Sequence, residues 1–196
     1  VKVVGHGARF FNTVESKQAS QNDIPTILYV GHRAGYKNFF VLIRALVELR
    51  KKSEFQFVTV GPEWSIEELS QWEDLGKQIP RRHETFVSDE RLCELYSEAS
   101  ILCMTSKMEG FGLPILEAMA MGTKVVASDI PVFREVGGQF ASYFNPDSIE
   151  ELVDLLSEQI QSSENESDID GRISFARQKS WKETAAKVAD AYREIS

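Results

Sequence analysis

Short apolar runs separated by amphipathic segments constrain this chain more than any other feature. Thr26–Val30, Phe55–Val60, Ile101–Thr105, Lys124–Ala127 and Ser142–Phe144 read as strands, with a weaker candidate at Glu84–Val87. Helical spacing lies between them. Phe39, Leu42, Ile43 and Leu46 recur at i, i+3, i+4 and i+7. Asp89–Ala99 carries Leu92, Leu95, Tyr96 and Ala99 on one face, and Pro114–Met121 is a further apolar helix. Ser65-Ile66-Glu67-Glu68 and Ser148-Ile149-Glu150-Glu151 are capping boxes. The second opens a stripe of Ile149, Leu152, Val153, Leu156 and Ile160. Ser163–Asp168 reads as a polar surface loop, and Ser180-Trp181-Lys182-Glu183 caps a last amphipathic helix. Alternation of this kind predicts an α/β domain with a parallel sheet of about six strands and helices on both faces. The near-continuous apolar strands suit a sheet buried on both sides.

In such a sheet, ligands bind beyond the carboxyl ends of the strands. The loops to search are therefore Gly31–Lys37, Gly61–Ser65, Val87–Asp89, Ser106–Leu113 and Ser128–Pro131. Two of them carry chemistry. In Glu109-Gly110-Phe111-Gly112-Leu113-Pro114-Ile115-Leu116-Glu117, two glutamates stand eight positions apart, one in a Gly-rich turn and one on an apolar helix. Such a pair can hold a polyhydroxylated ligand at two points, with the helix N-terminus aimed at the same ligand. Glu117 is flanked by Ile115, Leu116, Ala118 and Met119, so it needs a polar partner. Gly31-His32-Arg33-Ala34-Gly35-Tyr36-Lys37 sets two cations on one strand-end loop. A guanidinium fork plus a point charge suits a diphosphate. Each feature has a plainer alternative: surface cations on a solvated loop, and glutamates serving only a turn and a helix face. The loop is neither a dinucleotide-binding GxGxxG nor a Walker A motif.

Net charge is −8, which excludes a general attraction for nucleic acid or anionic membrane. An anionic ligand must be held by a few local cations. Cys93 and Cys103 lie on apolar segments with no CxxC pairing and read as small buried hydrophobes, which fits a reducing compartment. His6, His32 and His83 show no metal-ligand spacing. No apolar run is long enough to span a bilayer, and no signal peptide is visible. The chain starts mid-pattern, with strand-like Val1–Val4, and reads as a piece of something longer.

The segment from Thr105 to Gly122, containing Glu109-Gly110-Phe111-Gly112 and Glu117, resembles the signature of retaining glycosyltransferases of the GT-B architecture, family 4. Tyr29-Val30-Gly31…Arg33…Lys37 resembles their diphosphate loop, and Phe86-Val87-Ser88-Asp89-Glu90-Arg91-Leu92 their base-binding loop. Val125-Val126-Ala127-Ser128-Asp129 and Ser180-Trp181 resemble later family segments in the right order.

The resemblance implies a Rossmann-like donor-binding half spanning 1–196, with 1–25 as interdomain linker and lead-in, 180–196 as a C-terminal helix, and an acceptor domain upstream. Arg33 and Lys37 would grip the donor diphosphate with the backbone of Gly112 and Leu113. Glu109, Gly110, Phe111 and Gly112 would hold the sugar, Glu117 the ribose, and Val87 and Asp89 would border the base. Glu109, Arg33 and Lys37 would be the catalytic groups. No metal and no cofactor is implied, because the two cations do the neutralising and no Asp-x-Asp motif is present. The donor would be a GDP- or UDP-sugar. The short Arg-Ala-Gly-Tyr-Lys-Asn loop resembles polysaccharide mannosyltransferases and points to GDP-mannose. The acceptor would be a glycan or lipid-linked glycan. The location implied is the cytoplasm, peripherally at the inner face of the membrane through the upstream domain. Only three residues separate Arg33 from Lys37, fewer than in many relatives. Gly-His-Arg with Asn38 also resembles nonhydrolysing sugar-nucleotide epimerases, and a non-catalytic binding or scaffold module is the other alternative.

Overall fold

The computed structural model describes residues 24–75 and 77–179. The strand-like Val1–Val4 and the helix expected after Ser180 lie outside the described residues. Within them, all six strands pair in parallel in one sheet. The strands are β1 (Thr26–Val30), β2 (Gln56–Val60), β3 (Arg81–Glu84), β4 (Ile101–Met104), β5 (Lys124–Ser128) and β6 (Ser142–Phe144). Their spatial order is β3-β2-β1-β4-β5-β6. The chain builds outward from β1 to one edge, then returns to start again beside β1 with β4. The reversal creates a crevice between the carboxyl ends of β1 and β4, where α/β sheets bind ligands.

Alternate strand residues face opposite layers. Ile27 and Tyr29 of β1 pack with Phe57, Ile101, Cys103 and Val126 under α1 (Phe39–Arg50), α2 (Ile66–Leu75) and α6 (Ile149–Gln161). Leu28 turns the other way, joining Val58, Leu102, Met104, Val125 and Ala127 under α3 (Asp89–Glu98), α4 (Leu113–Ala120) and α5 (Pro131–Gly137). The last described helix, α7 (Glu166–Arg177), packs on α4. Ser148 accepts from the Glu151 N–H at 3.2 Å, as the capping box predicts.

Three expectations change. The third strand is Arg81–Glu84 rather than Glu84–Val87. It is an edge strand of four polar residues, so no apolar run marks it, and Phe86 at φ 51° turns the chain out of the sheet. The polar stretch Ser163–Asp168 is not all loop. Asn165 accepts from the Asp168 N–H at 2.9 Å and opens α7, whose buried residues are Arg172 and Ala176 rather than an apolar stripe. Arg172 instead grips Glu164 at 2.6 and 2.8 Å and the Gly122 carbonyl at 2.9 Å. Finally, Pro131 starts the short helix α5, where proline's fixed φ suits the first turn.

Candidate functional site

The loops leaving β1 and β4 are sewn together at the crevice. After β1, Gly35–Lys37 forms a tight 3₁₀ turn, and Asn38 at φ 55° redirects the chain into α1. The Lys107 N–H donates to the Tyr36 carbonyl at 2.8 Å, and the Thr105 hydroxyl to the Lys37 carbonyl at 2.9 Å. The Asn38 amide donates to the Pro146 carbonyl at 2.8 Å, and Lys107 pairs with Asp147. These bonds tie the ends of β1, β4 and β6 into one edge.

Across this seam, Lys37 Nζ lies 2.6 Å from Glu109 Oε1. The side chains are 16% and 12% exposed, so the pair is largely shielded from solvent yet reachable. Ser106 Oγ donates to the same oxygen at 2.7 Å. Beyond Glu109, Gly110 is exposed and Phe111 half-buried, and Gly112 takes φ 98° as it enters α4. A Cβ on Gly112 would lie 3.0 Å from the Phe133 ring. Leu113 and Pro114 then begin α4; Pro114 has no N–H, and the Ile115 N–H donates to the Gly112 carbonyl at 3.0 Å. Glu117, one turn in, accepts from the Tyr96 hydroxyl at 2.9 Å. The buried polar partner that its apolar flanks demanded is therefore present. Burial and the Glu117 charge together hold the Tyr96 hydroxyl well above its ordinary range, so it remains a donor. Burial, with Glu117 adding, likewise pushes the Cys93 thiol up to about 11, which makes it inert.

Arg33 sits differently from Lys37. Only 4% exposed, it turns toward the loop after β2. Its NH2 donates to the carbonyls of Pro62 at 2.5 Å and Glu63 at 2.9 Å, and reaches Glu68 Oε2 at 3.2 Å. Its guanidinium lies 5.0 Å from the Trp64 ring, which Arg81 covers at 4.2 Å. Arg33 Nε and NH1 are buried without a partner. The Tyr29 hydroxyl donates to the His32 carbonyl at 2.5 Å and connects the two cation sites. Burial raises its pKa, Arg33 lowers it and Glu109 raises it again, so both charges act on it. The structure thus joins Lys37 to Glu109 but seats Arg33 behind them, bonded to the neighbouring loop.

The loop after β3 lies further along the edge. Val87 is half-buried against the core, whereas Phe86 is 97% exposed. Ser88 caps α3 by accepting from the Arg91 N–H at 3.2 Å, with Asp89 in the first turn. Arg91 bonds Glu84 through two nitrogens at 2.9 and 3.0 Å and braces this loop. His83 is a structural residue, its Nδ1 within 3.1 Å of the Thr59 carbonyl and 2.8 Å of its hydroxyl. His32 is exposed beside the Arg33 turn. Met104 and Met119 are core residues, but Met108 is exposed on the crevice loop.

Sequence reasoning gave no roles to Ser106, Thr105 or Tyr96. Thr105 and Ser106 are hydroxyl residues that end an apolar strand yet are 0% and 1% exposed. Buried hydroxyls at a strand's carboxyl end were the available signal, since each needs a partner. Tyr96 read as a core aromatic, which it also is. Among the described residues, no cluster of three or more His, Cys, Asp or Glu could hold a metal. Nor is any described helix long and apolar enough to cross a membrane.

The chain is similar to known glycosyltransferases. Over 140 residues the chain is 31% identical to the serotype-specific mannosyltransferase WbdA of Escherichia coli, covering 68% of this chain and 17% of that protein. It is 44% identical over 94 residues to the O-antigen chain mannosyltransferase RfbU of Salmonella typhimurium, covering 43% of this chain and 26% of RfbU. In structure it is similar to a glycosyltransferase from Rickettsia africae ESF-5, with TM-score 0.79 and 22% identity over 89% of this chain and 48% of that one. The chain thus spans less than half the length of these proteins. The Rossmann-like fold expected of a GT-B half is present. The family described as glycosyl transferases group 1 matches residues 11–173, and the chain belongs to that family.

Proposed function

We propose that this chain is the donor-binding half of a retaining glycosyltransferase, and that it binds a nucleoside-diphosphate sugar, GDP-mannose first and UDP-sugars second. The observation that carries the reading is the Lys37–Glu109 pair at the point where the strand order reverses. The mannosyltransferase names of the relatives support the choice of sugar.

Breaking a glycosyl–phosphate bond moves an electron pair onto the diphosphate and leaves cationic character at the sugar carbon. Lys37 answers the first charge and Glu109 the second, and both stand at the crevice before the ligand arrives. The first turn of α4, from Gly112 and Leu113, supplies N–H donors to a phosphate. Arg33 adds positive potential from behind, and its uncommitted Nε and NH1 are the donors it has left for a phosphate oxygen. Glu117, steadied by Tyr96, takes the ribose hydroxyls. Val87 and Asp89 border the base. Gly110 and Phe111 line the sugar. No metal takes part in this scheme, because Lys37 and Arg33 carry the neutralisation.

The acceptor, a glycan or lipid-linked glycan, is bound by an upstream domain of the same protein. That domain brings the assembly to the inner face of the membrane from the cytoplasm. The isolated chain therefore binds nucleotide and transfers little or no sugar.

A thermal-shift panel of GDP, UDP and ADP tests the reading. At 100 times Kd a ligand adds about 2.7 kcal/mol, or roughly 5–10 °C for a chain of this size. GDP is expected to give the largest rise, and Glu117→Ala to remove most of it. No rise with any nucleotide would leave a scaffold as the better account. Sugar turnover by the isolated chain would contradict the division of labour.

A further inference from the structure

Glu109 Oε1 receives two hydrogen bonds from donors of different kinds. Lys37 Nζ, at 2.6 Å, ends a flexible four-carbon stem on the 3₁₀ turn after β1. Ser106 Oγ, at 2.7 Å, ends a one-bond side chain that is buried just beyond β4. Oε2 has no hydrogen bond among the described residues. A diphosphate placed at this edge competes with Glu109 for Lys37. The lysine can turn to it, since its stem bends and its charge has no fixed direction. The serine stands on a fixed backbone. Its backbone follows a strand hydrogen-bonded on both sides, and its neighbour Thr105 is anchored to the Lys37 carbonyl.

We propose that Ser106 is a positioning residue: it keeps Glu109 Oε1 occupied when Lys37 turns to the diphosphate, and so leaves Oε2 directed at the donor sugar. The inference rests on the donor-site reading above. It separates two tasks that the ion pair alone would confuse. Lys37 serves the diphosphate, and Ser106 serves the sugar through the carboxylate. A serine that merely stapled the turn from 106 to 109 would affect every ligand of the edge alike.

Calorimetry on the isolated chain with GDP and with GDP-mannose distinguishes these roles, with each variant's melting temperature measured alongside. Ser106→Ala is expected to keep GDP affinity within about twofold and to weaken GDP-mannose by about 10-fold, the effect of one lost hydrogen bond to a charged group. Ser106→Cys, similar in size but a weak donor, is expected to show an intermediate loss and carries the test if the alanine variant does not fold. Equal losses for GDP and GDP-mannose, or no loss for either, would overturn the proposal while leaving the donor site in place. A wild-type chain that binds neither ligand would remove the donor-site reading, and this inference with it.

Discussion

Lys37→Ala is expected to weaken GDP binding by about 100-fold, with the fold retained. Lys37 is the cation of the crevice that is both shielded and reachable. Its side chain is 16% exposed, and its partner Glu109 is held from the other side by Ser106. A diphosphate there meets the charge in a partly desolvated setting, where it counts for more than on the surface. Lys107, two residues from Glu109, is the control. It is 48% exposed and paired outward with Asp147. Screening reduces such a surface charge, so Lys107→Ala is expected to change GDP affinity by less than about threefold. Calorimetry at constant salt checks both. Equal effects would mean that net charge, not geometry, attracts the nucleotide.

Gly61→Ala is expected to destabilise the chain by about 2–4 kcal/mol. Gly61 follows β2 at φ 155°, and a Cβ there would lie 2.4 Å from the Gly31 carbonyl oxygen and 3.4 Å from Arg33 NH1. The first contact is with backbone, which cannot swing aside. Relief requires separating the turns that leave β1 and β2, where the Gly31 N–H donates to the Val60 carbonyl at 2.8 Å. Urea unfolding checks the figure through the midpoint at unchanged slope. An unchanged midpoint would show that the two turns are not locked against each other. The same substitution displaces the Pro62 and Glu63 carbonyls that hold Arg33, so nucleotide affinity should fall as well.

The parts of the fold that were legible in the sequence were those where burial dictates residue type. β1, β2, β4 and β5 are buried on both faces, and their apolar runs mark them within a residue or so. α1 and α6 show their apolar stripes directly. β3 was misplaced because an edge strand needs no such run, and its Arg-Arg-His-Glu carries ion pairs and the Thr59–His83 bond instead. α7 was missed because its buried face contains an arginine neutralised by Glu164. Periodicity counts apolar residues and cannot register a buried ion pair.

The candidate site was legible as a set of loops and residues but not as a set of contacts. Glu109 and Glu117 stood out because carboxylates in apolar or glycine-rich settings need partners. Their partners, Ser106 and Tyr96, were visible as residues but not as neighbours. Arg33 and Lys37 read alike in one loop. One turn of backbone, with Gly35 at φ 58° between them, separates Lys37, which pairs with Glu109, from Arg33, which bonds the loop after β2.

A crystal structure of the chain with GDP-mannose tests the central claim most directly. The diphosphate should lie between Lys37 and the first turn of α4, with the mannose against Glu109 and the ribose hydroxyls on Glu117. Nucleotide bound elsewhere, with the Lys37–Glu109 pair unchanged, would contradict the account.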